Sequence, residues 1–434
     1  MNHPLRCWRW TIARLSLFLL TALPAYSETT LPNRNLSYSP YYFGLAQSLQ
    51  HQSNVYRLGD QQGLPLQLSK DDTVLTSALL GGIDVGFSRQ HLTANLNLRS
   101  TRFLRNTPLN HSGSSLALAW NWSSAGHLSG RLSASADRSL AQFNSVNGQI
   151  ETVKNVQTLN QIDAEIALGT VTAWTAEAAL GLRQRRFTAT SYDALAYDQS
   201  SGSVGLHYRP SASLNLGVGL HHQRNEYPRF SRTLSGIFVA NAVYRHQLDL
   251  TAFMQYSGAS YFNGRLSATR SRASQPLSND SADHFSGLTG SAAWTWLPTG
   301  QLKIQNVVSR DSGLNTQAIN PLRLDAGVVD YSRITIGWRS KADWAWSSKI
   351  TLSLSLGWVQ RDLVKTPIIR GSPLSGNSAV DRTGLLELGV KWQPRRQIEA
   401  NCGLSSERRN STDASVSIPL RANSWGCNAQ LAFQ

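Results

Sequence analysis

Arginine is the side chain with the most chemistry to offer in this chain. Arg57, Arg102, Arg138, Arg185, Arg224, Arg270, Arg310, Arg361 and Arg408 recur near one end of successive alternating segments. A guanidinium presents a planar fork that holds a carboxylate or phosphate through two hydrogen bonds. Such a series suits contact with lipopolysaccharide phosphates, or a ring that draws an acidic polymer to a pore mouth. A second set, Arg99, Arg131, Arg183, Lys303, Lys349 and Lys391, falls on the polar parity of its segments, together with Arg185 and Arg361. Asp163, Glu165, Glu177, Glu387 and Glu399 share that parity, so these charges are expected to line a lumen. Enzyme signatures are missing: there is no His-Glu-x-x-His, Gly-x-Ser-x-Gly, phosphate-binding Gly loop or Cys-x-x-Cys. His221 and His222 are adjacent, and neighbours on a strand point to opposite faces. Asp71-Asp72 and Asp280/Asp283 fall in long connectors and read as solvated acids. No catalytic residue, metal or cofactor is expected, and the chain does not read as an enzyme.

These residues need elements to position them, and the pattern is period two. Leu92, Ala94, Leu96 and Leu98 alternate with Thr93, Asn95, Asn97 and Arg99; Leu386, Leu388, Val390 and Trp392 alternate with Leu385, Glu387, Gly389 and Lys391. Each segment is a strand with one greasy face and one small or polar face. Connectors alternate too. Short ones lie near Ser88–Gln90, Ser123–Gly126, Thr170–Thr172, Arg209–Ser211, Ser257–Ala259, Pro298–Gly300, Ser347-Ser348 and Pro394-Arg395. Longer polar stretches such as Leu58–Asp72, Ser139–Val156, Ala273–Asp283 and Val364–Asp381 lie between them. Short turns at one end and long loops at the other predict a transmembrane outer-membrane antiparallel β-barrel, all-β, of about 18 strands (16–20). Trp120, Trp122, Trp174, Trp294, Trp296, Trp344, Trp346 and Trp392 cluster beside the short turns. Indoles suit a bilayer interface, so these eight are expected to form the inner aromatic girdle.

Composition agrees. The 434 residues carry 41 Lys+Arg and 26 Asp+Glu, a formal net charge of +15, with 41% apolar and only 15% charged residues. The charged fraction is low for a disordered chain, and no mature stretch supplies the roughly 18 apolar residues of a membrane-spanning helix. Residues 1–27 read as a signal peptide: Arg6, Arg9 and Arg14, then Leu15–Leu20, then Ala25-Tyr26-Ser27. Residues 28–39 are expected to be a periplasmic segment or a plug, and 40–434 the barrel. Removing Met1–Ser27 takes away Cys7 and leaves Cys402 and Cys427, an even pair that reads as one disulfide. With a turn near Asn410–Ala414, residues whose numbers sum to 829 oppose each other. Cys402 then faces Cys427, Ala400 faces Ala429 and Ile398 faces Leu431, all on the greasy parity. Trp425, Cys427, Ala429, Leu431 and Phe433 give the last strand an outward apolar face ending in an aromatic.

Three blocks resemble the EpsL family of outer-membrane barrels, encoded in exopolysaccharide gene clusters and part of a broader group of β-barrel porins. The first is Ser53-Asn54-Val55-Tyr56-Arg57-Leu58, where the family usually has an acid at position 53. The second runs Phe285-Ser286-Gly287-Leu288-Thr289-Gly290, then Trp294-x-Trp296-x-Pro298-Thr299-Gly300-x-Leu302, with Gln301 where the family usually has Lys. The third is Cys402, Glu407-Arg408-Arg409-Asn410-Ser411 and Cys427. The resemblance spans nearly the whole mature chain and is thin between these blocks. It implies a role in moving an exopolysaccharide across the outer membrane. Expected partners are outer-membrane lipid and lipopolysaccharide, the polymer and other export components; nucleic acid is not among them. An anion-preferring porin and a surface barrel that anchors polymer are the rival readings.

Overall fold

Alternation becomes a wall because, across the membrane span, the greasy face turns outward to lipid and the polar face turns inward. In the computed structural model this runs through β1 (Tyr41–Gln52), β2 (Asp72–Phe87), β3 (Gln90–Phe103), β4 (His111–Ser123), β5 (Leu128–Leu140), β6 (Val156–Leu168), β7 (Trp174–Phe187), β8 (Tyr197–Ser211) and β9 (Leu214–Arg232). It continues through β10 (Phe238–Ser257), β11 (Ser260–Ala273), β12 (His284–Trp296), β13 (Leu302–Asp311), β14 (Ala326–Ala345), β15 (Ile350–Ile369), β17 (Asn377–Arg395), β18 (Ile398–Ser411) and β19 (Leu420–Phe433). The two-residue β16 (Ser372–Pro373) pairs only with the end of β15. The structure describes residues 40–60, 62–124, 127–143, 152–232, 237–274, 284–312, 326–369, 372–373, 377–414 and 416–433. Residues 1–27, read as a signal peptide, the segment 28–39, Asp280, Asp283 and Gln434 lie outside the described residues.

Every wall strand pairs antiparallel with its neighbours in sequence, β15 reaching across to β17. The sheet closes where β1 meets β19, from Phe43 opposite Phe433 to Gln52 opposite Ser424. Closure of eighteen wall strands removes both sheet edges, so the ladders pair strand to strand all around the wall, as hydrocarbon demands. A barrel of this strand number is wide enough for an aqueous channel. Short turns gather at one end, with both the start of β1 and the end of β19. In the β6–β7 turn Gly169 has φ +85°, and a Cβ there would meet the Trp174 carbonyl oxygen at 2.3 Å.

At the long-connection end the wall outgrows the membrane. β14 and β15 each run 20 residues, about twice the 9–11 that cross a bilayer. The stretch Val364–Asp381, expected as loop, is therefore largely strand: β15 reaches Ile369 and β17 begins at Asn377. Beyond the bilayer no lipid selects apolar outward residues, so the ladder continues after the alternation has faded.

Cys402 and Cys427 are directly opposed in the closing hairpin and joined by a disulfide, with Cα atoms 4.1 Å apart. Ala400 faces Ala429 and Ile398 faces Leu431, the register expected from the turn position. The bridge closes a separation of 25 residues. In a chain-entropy account that stabilises by up to about 3.5 kcal/mol. The paired substitution Cys402→Ser with Cys427→Ser is expected to lower the unfolding temperature in detergent. A melting curve that does not move on reduction would show that the ladder alone holds the hairpin.

Candidate functional site: the lumen and its roof

The register assigns every paired strand residue to one face. Exposed Leu45, Leu79, Leu98, Leu248, Leu354, Leu388 and Leu431 mark the outward face. Trp120, Trp174, Trp294, Trp296, Trp344 and Trp392 are on it beside the short turns, 40–54% exposed, with Trp122 half-buried among them and Trp346 in the β14–β15 turn. The Trp122 indole lies across Gly130, where a Cβ would come within 2.4 Å of the ring. Trp120 Nε1 donates to Gln90 Oε1 at 3.1 Å, and Trp294 Nε1 to Ser260 Oγ at 2.9 Å, so these indoles keep their donors satisfied at the interface. Trp338 and Trp358 oppose each other farther up the wall, about 20 Å along the strand from Trp344.

The inward face carries paired charge. Among the described strand residues in register, inward bases are Arg99, Arg131, Arg183, Arg185, Arg245, Arg265, Lys303, Arg339, Lys341, Arg361, Lys391 and Arg409. Inward acids are about as many, thirteen against twelve: Asp72, Asp84, Asp137, Asp163, Glu165, Glu177, Asp249, Asp311, Asp343, Asp381, Glu387, Glu399 and Glu407. Many are in contact: Arg99 with Asp137 at 3.0 Å, Arg339 with Glu387 at 3.0 Å, Arg361 with Asp381 at 2.7 Å and Lys391 with Glu399 at 2.8 Å. Arg183 donates to Gln161 Oε1 at 2.6 Å, and Arg131 stands opposite Glu165. Lys303 faces Asp343 across the ladder. Lys349 is exposed in the β14–β15 turn and does not stand on the wall. The inward residues read from the sequence, eight bases against five acids, predict a basic lumen; the wall is instead nearly neutral, because the register turns about as many acids as bases inward.

The positive excess is outside. Arg102, Arg138, Arg224, Arg270, Arg310 and Arg408 point outward and are exposed near the long connections. Arg186, Arg272, Arg382 and Arg421 extend this belt, against Asp198, Glu226 and Asp362 as the outward acids among the described paired strand residues. Arg185 and Arg361 point into the lumen. Arg57 does not join the ring of nine: it is 5% exposed, because its connection folds back over the mouth.

That connection, residues 53–71 between β1 and β2, forms a roof over part of the barrel end. Asn54 fixes its first turn: Oδ1 accepts from Leu58 N at 2.9 Å, and Nδ2 donates to the carbonyls of Leu58 at 2.8 Å and Arg421 at 3.0 Å. The turn puts Arg57 at φ 55°, a left-handed conformation costing about 1 kcal/mol off glycine. From there Nη1 and Nη2 reach Glu407 Oε2 and Oε1 at 2.8 and 2.5 Å, a two-pronged ion pair buried inside β18. The first and third blocks that carry the family resemblance thus meet in space. Val55, Tyr56 and Leu58 pack with Val74, Phe103, Leu109, Leu140 and Phe143.

Below them Asp72, 1% exposed, accepts from the backbone N–H of Thr73, Leu104, Arg105 and Asn106 at 2.7–3.1 Å, and from Asn106 Nδ2 at 2.9 Å. The expectation of a solvated Asp71-Asp72 pair is corrected for Asp72, which is an internal acceptor. Asp71 does face outward to Arg105 at 2.7 Å; a hydrogen bond from Ser69, with Arg105 nearby, holds its carboxyl below the usual range. Tyr56 donates to Asn106 Oδ1 at 3.2 Å, and burial with Asp72 nearby pushes its hydroxyl up to about 12. The β18–β19 connection folds inward as well, its Ser417 Oγ donating to Asp381 at 2.7 Å.

Among the described residues no group of three or more His, Cys, Asp or Glu stands together as a metal site. His221 points inward and His222 outward. The roof residues Asn54, Asn106, Asp72 and Glu407 went unread as a site in the sequence. The one available signal was Val55-Tyr56-Arg57-Leu58, an apolar run where a solvated loop should be polar.

A closed antiparallel wall with an apolar exterior, tryptophans beside its short turns and a polar interior defines a bacterial outer-membrane β-barrel. No family model matches the chain, and no curated protein does. Similar solved structures include Pseudomonas aeruginosa OpdK with vanillate, at 10% identity and a TM-score of 0.46, covering 91% of this chain and 99% of that one. Pseudomonas aeruginosa OccK5 (OpdH) matches at 10% identity and 0.44, covering 91% and 98%. The FrpB iron transporter of Neisseria meningitidis matches at 9% and 0.43, covering 91% and 83%.

Proposed function

We propose that this barrel assists export of an exopolysaccharide across the outer membrane, the polymer passing or being guided through the lumen. The observation that carries the reading is the inner wall. Twelve bases against thirteen acids, among Ser, Thr, Asn and Gln, offer many hydrogen-bonding groups and little net field. A polyhydroxylated chain can make weak contacts at many successive points there and still leave, as conduction requires. The same balance speaks against a plain anion-preferring porin, which would keep its bases unpaired. The resemblance to the EpsL family of the blocks around Arg57, Trp294 and Glu407 supports a polysaccharide cargo. The roof of residues 53–71 narrows the mouth through which the polymer leaves.

Single-channel conductance of the refolded barrel in a planar bilayer tests this, with and without the host's own exopolysaccharide. The expected result is a small open current that the polymer blocks reversibly. A current indifferent to polymer and selective for anions would favour the porin reading. A silent, folded barrel that binds polymer through its loops would favour surface anchoring.

A further inference from the structure

The outward wall of β6–β11 holds a groove of about 840 Å³ that the lumen reading does not use. Its floor is apolar and low, from Ala164, Ala178, Gly202 and Ala268, and Leu220 and Leu248 stand beside it. A floor of Ala and Gly between Leu side chains leaves an apolar trough. Along one row at its long-connection side the residues change character: Gly202 faces His222, His222 faces His246, and His246 faces Arg270. The His222 and His246 rings lie 4.6 Å apart, with their Nδ1 atoms at 3.2 Å. Arg270 is exposed and has no carboxylate partner among the described residues. The next row up adds Arg224, which pairs with Glu226 and lies over the Tyr244 ring at 5.6 Å, and then Arg272.

A guanidinium without an acid beside two imidazoles, at the head of an apolar trough, is complementary to an amphiphile with a phosphate head and acyl tails. We propose that this groove binds one phosphorylated glycolipid of the lipid A type from the outer leaflet, its phosphate held by Arg270, His246 and His222. A phosphate there would take both prongs of the Arg270 fork and a ring N–H from the histidine pair, while the tails cover Leu220 and Leu248. The site is separate from the lumen and stands or falls independently of the exported cargo.

The test is native mass spectrometry of the full-length barrel in mild detergent, titrated with diphosphorylated lipid A. One lipid is expected to remain bound to the wild type. Arg270→Ala combined with His246→Ala is expected to weaken retention at least tenfold, and Arg270→Lys to weaken it less. Arg102→Ala, on a distant part of the belt, should leave retention unchanged. Heat-modifiable gel mobility establishes that each variant is folded. Equal retention by wild type and the double variant would overturn the proposal. So would equal retention of dephosphorylated lipid A, or full competition by inorganic phosphate alone, which would reduce the site to a free-anion contact.

Discussion

Glu407→Ala is expected to increase single-channel conductance and to lower the unfolding free energy by about 3–5 kcal/mol. Arg57 and Glu407 are 5% and 7% exposed and form a two-pronged pair, so removing the carboxylate leaves a desolvated guanidinium without its counter-charge. Arg409 lies in the same cluster, near Arg57, Arg361, Asp381 and Glu407, which deepens the imbalance once Glu407 is gone. Arg57 also holds a left-handed backbone that its ion pair and the Asn54 turn help to maintain. The roof should therefore swing away from the mouth before the wall melts. Glu407→Gln keeps the shape but loses the charge and should fall between. The double variant Arg57→Ala with Glu407→Ala should open the roof while recovering much of the lost stability, because no orphan charge remains. Conductance unchanged from wild type in every one of these variants would mean that residues 53–71 do not constrict the pore.

Asp72→Ala is expected to cost a similar 3–5 kcal/mol, against less than about 1 kcal/mol for Asp71→Ala. Asp72 terminates four backbone N–H groups and the Asn106 amide in a site sealed from water. Alanine removes this acceptor from the Thr73, Arg105 and Asn106 N–H groups, while Leu104 N keeps the Thr73 carbonyl and Asn106 Nδ2 the Ser69 carbonyl. Asp71, next to it in the chain, holds only the exposed Arg105 and the Ser69 hydroxyl. Limited proteolysis within residues 53–71, together with thermal unfolding in detergent, separates the two. Cleavage should accelerate strongly in the Asp72 variant and little in the Asp71 variant. Equal susceptibility would show that the Asp72 cradle does not hold the roof to the β3–β4 connection.

What could be read along the chain was whatever depends on local parity. Leu92–Leu98 against Thr93–Arg99, the alternation of short and long connectors and the tryptophans beside the short turns all repeat every two residues or every hairpin. Hydrocarbon selects outward side chains one at a time, so the pattern survives in one dimension. The closing hairpin was legible for the same reason: one turn position sets a register, and Cys402 opposite Cys427 followed from it. Tertiary structure alone decided three other things. Arg57 could not be told from an external arginine, because its partner Glu407 is 350 residues away and reaches it only once the barrel has closed. Asp72 looked like Asp71, because burial depends on the connections that fold over it. The neutral lumen was hidden in a chain of net charge +15, since that sum adds both faces together. Parity places a charge inward or outward, but whether it meets its opposite depends on the stagger between neighbouring strands, which only the closed sheet sets.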